Sequence, residues 1–154
     1  MKKPCVVIIV GSKSDLPKIE SGMALLDRFK ISHELIVASA HRNPSKVMSI
    51  AKTADKKYDL IIAGAGMAAH LPGVIASYTT LPVIGIPISS QGLGGLDSLY
   101  SIVQMPPGIP VATVAVDGAK NAAILAAQIL AIKYPKIKKE LIKLKKDLKT
   151  KGKI

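Results

Sequence analysis

The stretch Cys5-Val6-Val7-Ile8-Ile9-Val10-Gly11-Ser12-Lys13-Ser14-Asp15-Leu16-Pro17 decides the fold. Its first six residues form an unbroken apolar run rich in β-branched side chains, the pattern of a strand buried on both faces in a parallel sheet. Glycine and polar residues then stop the run. Pro17 suits a first helical position, Ser14 or Asp15 can cap it, and Ile19, Met23, Leu26 and Phe29 recur at helical spacing. The unit is strand, polar turn, helix.

The same unit recurs down the chain. Residues 34–38 read as a second strand, 39–43 as a turn, and 44–57 as a helix with Val47, Ile50 and Ala54 on one face. Residues 59–63 are a third strand, 64–69 a glycine-rich turn, and 71–78 a short helix entered through Pro72. A fourth strand is expected at 82–87 and a fifth at 111–116, with one helix at 96–103 between them and an alanine-rich helix at 121–132. Strands alternating with helices predict a three-layer α/β sandwich around a central parallel sheet of about five strands, with right-handed crossovers. Ligands of such sheets sit outside the carboxyl ends of the strands. The turns 11–15, 39–43 and 64–70 therefore meet at one edge.

At 154 residues the chain fits one domain, able to bury roughly 70% of the surface its unfolded form exposes. The formal net charge of +12 is unevenly spread: residues 133–154 hold ten lysines against Glu140 and Asp147. There Ile137, Leu141, Leu144 and Leu148 form a narrow apolar stripe among the lysines, which predicts a basic amphipathic helix resting on a neighbouring subunit. Residues 1–132 carry only twelve basic and eight acidic side chains, a low charge density for a soluble domain. Such a body hides faces in a homo-oligomer; the alternative is an unusually apolar monomer.

With Phe29, Tyr58, Tyr78, Tyr100 and Tyr134 as the whole aromatic set, no stacking platform for single-stranded nucleic acid can be built. Cys5 is the single cysteine, which excludes disulfide and zinc frameworks and fits a reducing, cytoplasmic setting. Met1-Lys2-Lys3 before an apolar run imitates a signal peptide, but the run is short and a polar turn follows at once. No segment reaches the ~18 uninterrupted apolar residues of a membrane span.

The turns carry the candidate chemistry. Gly11, Ser12, Ser14 and Asp15 precede a helix, where backbone N–H groups, hydroxyls and the helix dipole suit a phosphate, while Asp15 suits a sugar hydroxyl. Capping the helix explains Ser14 or Asp15 equally well. The turn is not a Walker loop, because the Gly-Lys-Ser/Thr ending is missing. Residues 64–69 match a relaxed dinucleotide fingerprint, yet they follow the third strand and no acidic residue lies between Asp59 and Asp97 to take a ribose hydroxyl. Ser39-Ala40-His41-Arg42-Asn43-Pro44 places an imidazole beside a guanidinium. His33 opens a strand and reads as structural, whereas His41 and His70 both fall on the ligand edge. No Ser-His-Asp order or metal spacing accompanies them, which leaves proton transfer.

Taken together, Gly11-Ser12-Lys13-Ser14-Asp15, Ser39-Ala40-His41-Arg42, Ala63-Gly64-Ala65-Gly66, Ala68-Ala69-His70-Leu71-Pro72-Gly73, and the stretches 97–106 and 121–130 resemble the N5-carboxyaminoimidazole ribonucleotide mutases of purine biosynthesis, the PurE family. The resemblance covers residues 6–130 and implies a flavodoxin-like fold, with residues 1–134 as the catalytic domain and 135–154 as an appended helix. It implies a cofactor-free, metal-free transfer of CO2 from N5 to C4 of an aminoimidazole ribonucleotide. His41 would be the general acid and base, with His70 supporting the site. Gly11, Ser12, Ser14, Asp15, Ser39 and Arg42 would bind the substrate, and Ala65, Gly66, Ala69 and Leu71 would enclose the ring and the CO2.

An octamer with sites at subunit boundaries is implied as well. Two positions depart from the family pattern: Asn43 stands where threonine is commoner, a change a capping role would survive, and Met67 stands where glycine is usual. The nearest rival is the carboxylase branch, which takes free CO2 and the uncarboxylated nucleotide; the intact stretch 68–73 favours the mutase. A rival of another class is a non-catalytic phosphate- or nucleotide-binding module with a basic tail.

Overall fold

A computed structural model describes residues 3–152; Met1 and Lys2 of the signal-like start, and Lys153 and Ile154 of the basic tail, lie outside it. The strands are β1 (Cys5–Val10), β2 (Ser32–Val37), β3 (Leu60–Gly66), β4 (Val83–Ile88) and β5 (Ala112–Thr113). The helices are α1 (Leu16–Arg28), α2 (Pro44–Thr53), α3 (Leu71–Ala76), α4 (Leu96–Val103), α5 (Ala119–Ala131) and α6 (Pro135–Lys151), with 3₁₀ turns at Lys13–Asp15 and Ala54–Lys56. All strands are parallel, in the order β2-β1-β3-β4-β5. The expected α/β sandwich and its five-stranded sheet are present.

Strand alternation divides the core. Val6, Ile8 and Val10 face one side with Leu60, Ile62, Ile84 and Ile86, and are covered by α1, α5 and α6. Val7 and Ile9 face the other with Ile61 and Ala63, under α2, α3 and Ile102 of α4. Both faces of β1 are sealed, as its continuous apolar run requires.

Register makes this sheet a platform. Val10 pairs with Val37 on one side and Gly64 on the other, and Gly66 pairs with Ile88. The strands therefore finish close together along one edge, and the turns beyond them open side by side.

Several boundaries differ from the sequence reading, each for a physical reason. β2 starts at Ser32, two residues early, because the Ser32 N–H donates to the Pro4 carbonyl. β3 runs three residues further than expected, so Ala65 and Gly66 are strand, not turn. The glycines there mark close approach: a Cβ on Gly64 would sit 3.1 Å from Ile88 Cδ1 and 3.2 Å from Ile19 Cδ1. β5 shrinks from six residues to two. Val114 N donates to the Gly85 carbonyl and Asp117 N to the Pro87 carbonyl, so β4 turns its alternate residues toward β5, and Pro87 has no N–H to return.

The C-terminal helix corrects a further expectation. Its stripe packs on this chain's own core and not on a neighbour: Ile137 and Leu144 are fully buried beside α5, with Leu141 and Leu148 partly so. Arg28 of α1 pairs with Asp147 at 2.7 Å. Burial raises the Asp147 carboxyl, but the hydrogen bond from Arg28 and the nearby Lys151 outweigh it and hold the group below its usual range. Among the described residues no helix is long and apolar enough to cross a membrane.

Candidate active site

The first turn is built by its own side chains. Ser12 caps the 3₁₀ turn, its hydroxyl accepting from the Ser14 N–H at 3.3 Å, while the Asp15 carboxylate accepts from the Ser12 N–H at 3.0 Å. This reciprocal pair is a capping box. The expectation that Ser14 or Asp15 caps α1 is therefore displaced by one turn: Asp15 closes the box, and α1 begins without a side-chain cap. Burial pushes the Asp15 carboxyl above its usual value, against the Ser12 N–H and the Arg42 charge, which pull it down.

The second turn is locked similarly. Asn43 does not cap α2; its Oδ1 accepts from the Ser39 N–H at 2.7 Å, and the Ser39 hydroxyl accepts from the Arg42 N–H at 3.2 Å. Arg42 is thereby aimed across to the first turn, where its guanidinium donates to the Gly11 carbonyl at 3.0 Å. The loop carries His41 to β3. Its Nε2 lies 2.7 Å from His70 Nδ1, with the rings edge to face at 76°. At that distance one nitrogen donates and the other accepts, so the two rings share a single proton along this contact.

These turns line one cleft of about 670 Å³ at the carboxyl ends of the strands. Gly11, Ser12, Ser14, Asp15, Ser39, His41, Arg42, Ala65, Gly66, His70 and Leu71 all reach it. Ala69 does not; its methyl is buried in the core beneath, with Leu71 and Ile75. His33, paired with Val6 at the start of β2, faces Asp27 far along the strand from the cleft.

Four lining residues escaped the sequence reading: Lys18, Ile88, Ser89 and Ser90. Ser89 and Ser90 follow β4, so the strand-end rule that flagged the other turns reaches them too. Lys18 lies one helical turn beyond Ser14 and Asp15. Its Nζ bonds Asp117 at 2.7 Å and the Ser89 hydroxyl at 3.0 Å. Burial raises the Asp117 carboxyl, but its bonds from Lys18 and Ser89 outweigh this and hold it below the usual carboxylate range.

Met67 departs from glycine at a position whose φ is +56°, and it lies 67% exposed at the cleft. A left-handed conformation costs an L-residue roughly 1–2 kcal/mol, and glycine loses about 0.5–1 kcal/mol through its unfolded-state freedom. Met67→Gly should therefore stabilise the chain by up to ~1 kcal/mol, and Met67→Val, β-branched at a left-handed φ, should destabilise it by more than about 1 kcal/mol. Urea unfolding midpoints check both signs.

Comparison with known proteins agrees with this geometry. A protein of Pyrococcus abyssi described as an N5-carboxyaminoimidazole ribonucleotide mutase is 58% identical over 147 residues, covering 95% of this chain and 84% of that one. A Schizosaccharomyces pombe phosphoribosylaminoimidazole carboxylase is 51% identical over 138 residues, 89% of this chain but 25% of that protein. The crystal structure of Treponema denticola PurE superposes with a TM-score of 0.88 at 30% identity, covering 97% of this chain and 94% of that one. A family profile described as AIR carboxylase spans residues 5–151, and with a strand order, cleft and relatives that concur, the chain belongs to the AIR carboxylase family.

Proposed function

We propose that this protein is an isomerase that moves a carboxylate from N5 to C4 of 5-aminoimidazole ribonucleotide, the N5-carboxyaminoimidazole ribonucleotide mutase reaction of purine biosynthesis. The observation that carries the reading is the placing of His41 in the cleft, against His70 and beside Arg42. Arg42 with Ser12, Ser14 and Ser39 holds the phosphate, Asp15 the ribose, and Gly11, Ala65, Gly66 and Leu71 the ring. Ala69 supports that wall from beneath.

The proton bookkeeping needs only His41. The imidazole gives a proton to N5 as the N5–CO2 bond breaks, which frees CO2 and leaves a neutral amine. C4 attacks the retained CO2, and the imidazole then takes the C4 proton as aromaticity returns. The proton given is balanced by the proton taken, so no cofactor is consumed. His70 shares the proton along its contact with His41 and fixes that ring's orientation. Recapture of CO2 before it escapes requires the bound substrate to close the cleft against water.

Residues 1–134 hold the whole site in this reading, and α6 braces them from behind. We read the chain as cytoplasmic and as one subunit of a homo-octamer. Support comes from the sparse charge of residues 1–132 and from an exposed apolar face around α4, where Leu93, Leu96, Tyr100 and Val103 are each at least half exposed.

A carboxylase reading has two names in its favour, that of the S. pombe relative and that of the family profile. The purified protein is expected to interconvert the two carboxylated isomers without ATP. Product formed from the uncarboxylated nucleotide plus bicarbonate, with none from the N5-carboxylated isomer, would replace the mutase by the carboxylase.

A further inference from the structure

We propose that Lys18 recognises the carboxylate of the substrate, and so discriminates the carboxylated ribonucleotides from the uncarboxylated one. The inference rests on the reaction proposed above. It begins from the order of the strands. Arg42 follows β2 and reaches the end of β1, whereas the Lys18 ammonium is anchored at Ser89, beyond β4. Between β1 and β4 lies only β3, with His70 and Gly66 at its end. At about 4.8 Å per strand the two cations stand roughly 10 Å apart across the cleft. A nucleotide whose phosphate is on Arg42 lays its ring over β3, and a carboxylate on that ring extends toward β4.

The anchoring fits a binding group. An ammonium has three donors, and among the described residues two of those on Lys18 are engaged, by Asp117 and the Ser89 hydroxyl. One remains for a ligand. The side chain is 44% exposed and lines the cleft, while Asp117 is not among the lining residues. Asp117 is itself held firmly: it accepts from the Ser89 N–H at 3.0 Å and the Ser89 hydroxyl at 2.6 Å, and sits at φ +55°. Its carboxylate ties α1 to the loops after β4 and β5 and acts as a positioning residue. Because Asp117 also neutralises the Lys18 charge, the attraction on a ligand is a short, directional hydrogen bond and not a long-range field. A moderate effect is the consequence.

The test is equilibrium binding by calorimetry, which needs no turnover. The C4-carboxylated nucleotide and the uncarboxylated nucleotide are titrated into the full chain, Lys18→Met and Asp117→Asn. Lys18→Met keeps the apolar stem and is expected to weaken the carboxylated ligand about tenfold while the uncarboxylated ligand stays within about twofold. Asp117→Asn, which preserves an acceptor for Ser89, is expected to weaken the carboxylated ligand by a smaller factor in the same direction. An equal loss for both ligands, or no loss for either, overturns the assignment. If the wild-type chain binds both nucleotides but fails to interconvert the carboxylated isomers, the proposed reaction falls while the binding comparison still decides the role of Lys18.

Discussion

His41→Ala should lose turnover by on the order of 10³-fold, inside the 10²–10⁴ range of positioned acid–base groups, while nucleotide affinity changes by only a few-fold. The argument is geometric. Phosphate and ribose contacts are assigned to Arg42, Asp15 and the serines, whose hydrogen bonds run among the turns without passing through the His41 ring. Removing the imidazole therefore leaves the anion pocket standing. What disappears is the group assigned both to give N5 its proton and to take the C4 proton back. Single-turnover kinetics beside calorimetric affinity separate the two roles. Retained turnover would show that the proton moves by another route.

Ending the chain after Tyr134 should unfold or badly destabilise the protein, before any question of assembly arises. Ile137 and Leu144 are 2% and 0% exposed, and both sit in the core that α5 shares with α1 and the sheet. Burying each such side chain contributes about 1.5–3 kcal/mol. Losing both removes roughly 3–6 kcal/mol from a total that is only about 5–15 kcal/mol. At about 2–4 °C per kcal/mol for a chain of this size, the melting midpoint should fall by roughly 6–24 °C. The Arg28–Asp147 pair adds little, being partly exposed. Leu144→Ala in the full chain should reproduce part of the loss, about 2–5 kcal/mol. Thermal melts followed by circular dichroism check both variants. A truncated chain with an unchanged midpoint and a lost oligomer would return α6 to the role of an assembly device.

How far the fold was legible follows from what each signal means physically. The β1 run and the helix at 96–103 were read correctly because burial on both faces, in one case, and helical spacing, in the other, leave few alternatives. Gly64 and Gly66 misled because glycine marks both turns and close approach, and only the packed Ile88 and Ile19 side chains show which applies. β5 misled because its length depends on a donor missing from Pro87 in a different strand. The lysine stripe was read correctly as amphipathic, but periodicity does not say which surface an apolar face meets. At the site, the turns announced themselves through residue type. Lys18 did not, since its meaning depends on Asp117, 99 residues away.

Pro87 also limits how copies of this chain can meet. A two-residue edge strand leaves the end of β4 without a regular ladder on that side, and an unpaired strand edge is a template on which another molecule's strand can grow. Here the template is blunted. The outward carbonyls of Gly85 and Pro87 are already taken by Val114 and Asp117, and the proline offers no donor between them. The β5 edge of the sheet is thereby turned away from open-ended extension, whereas β2 at the other edge is a full six-residue strand.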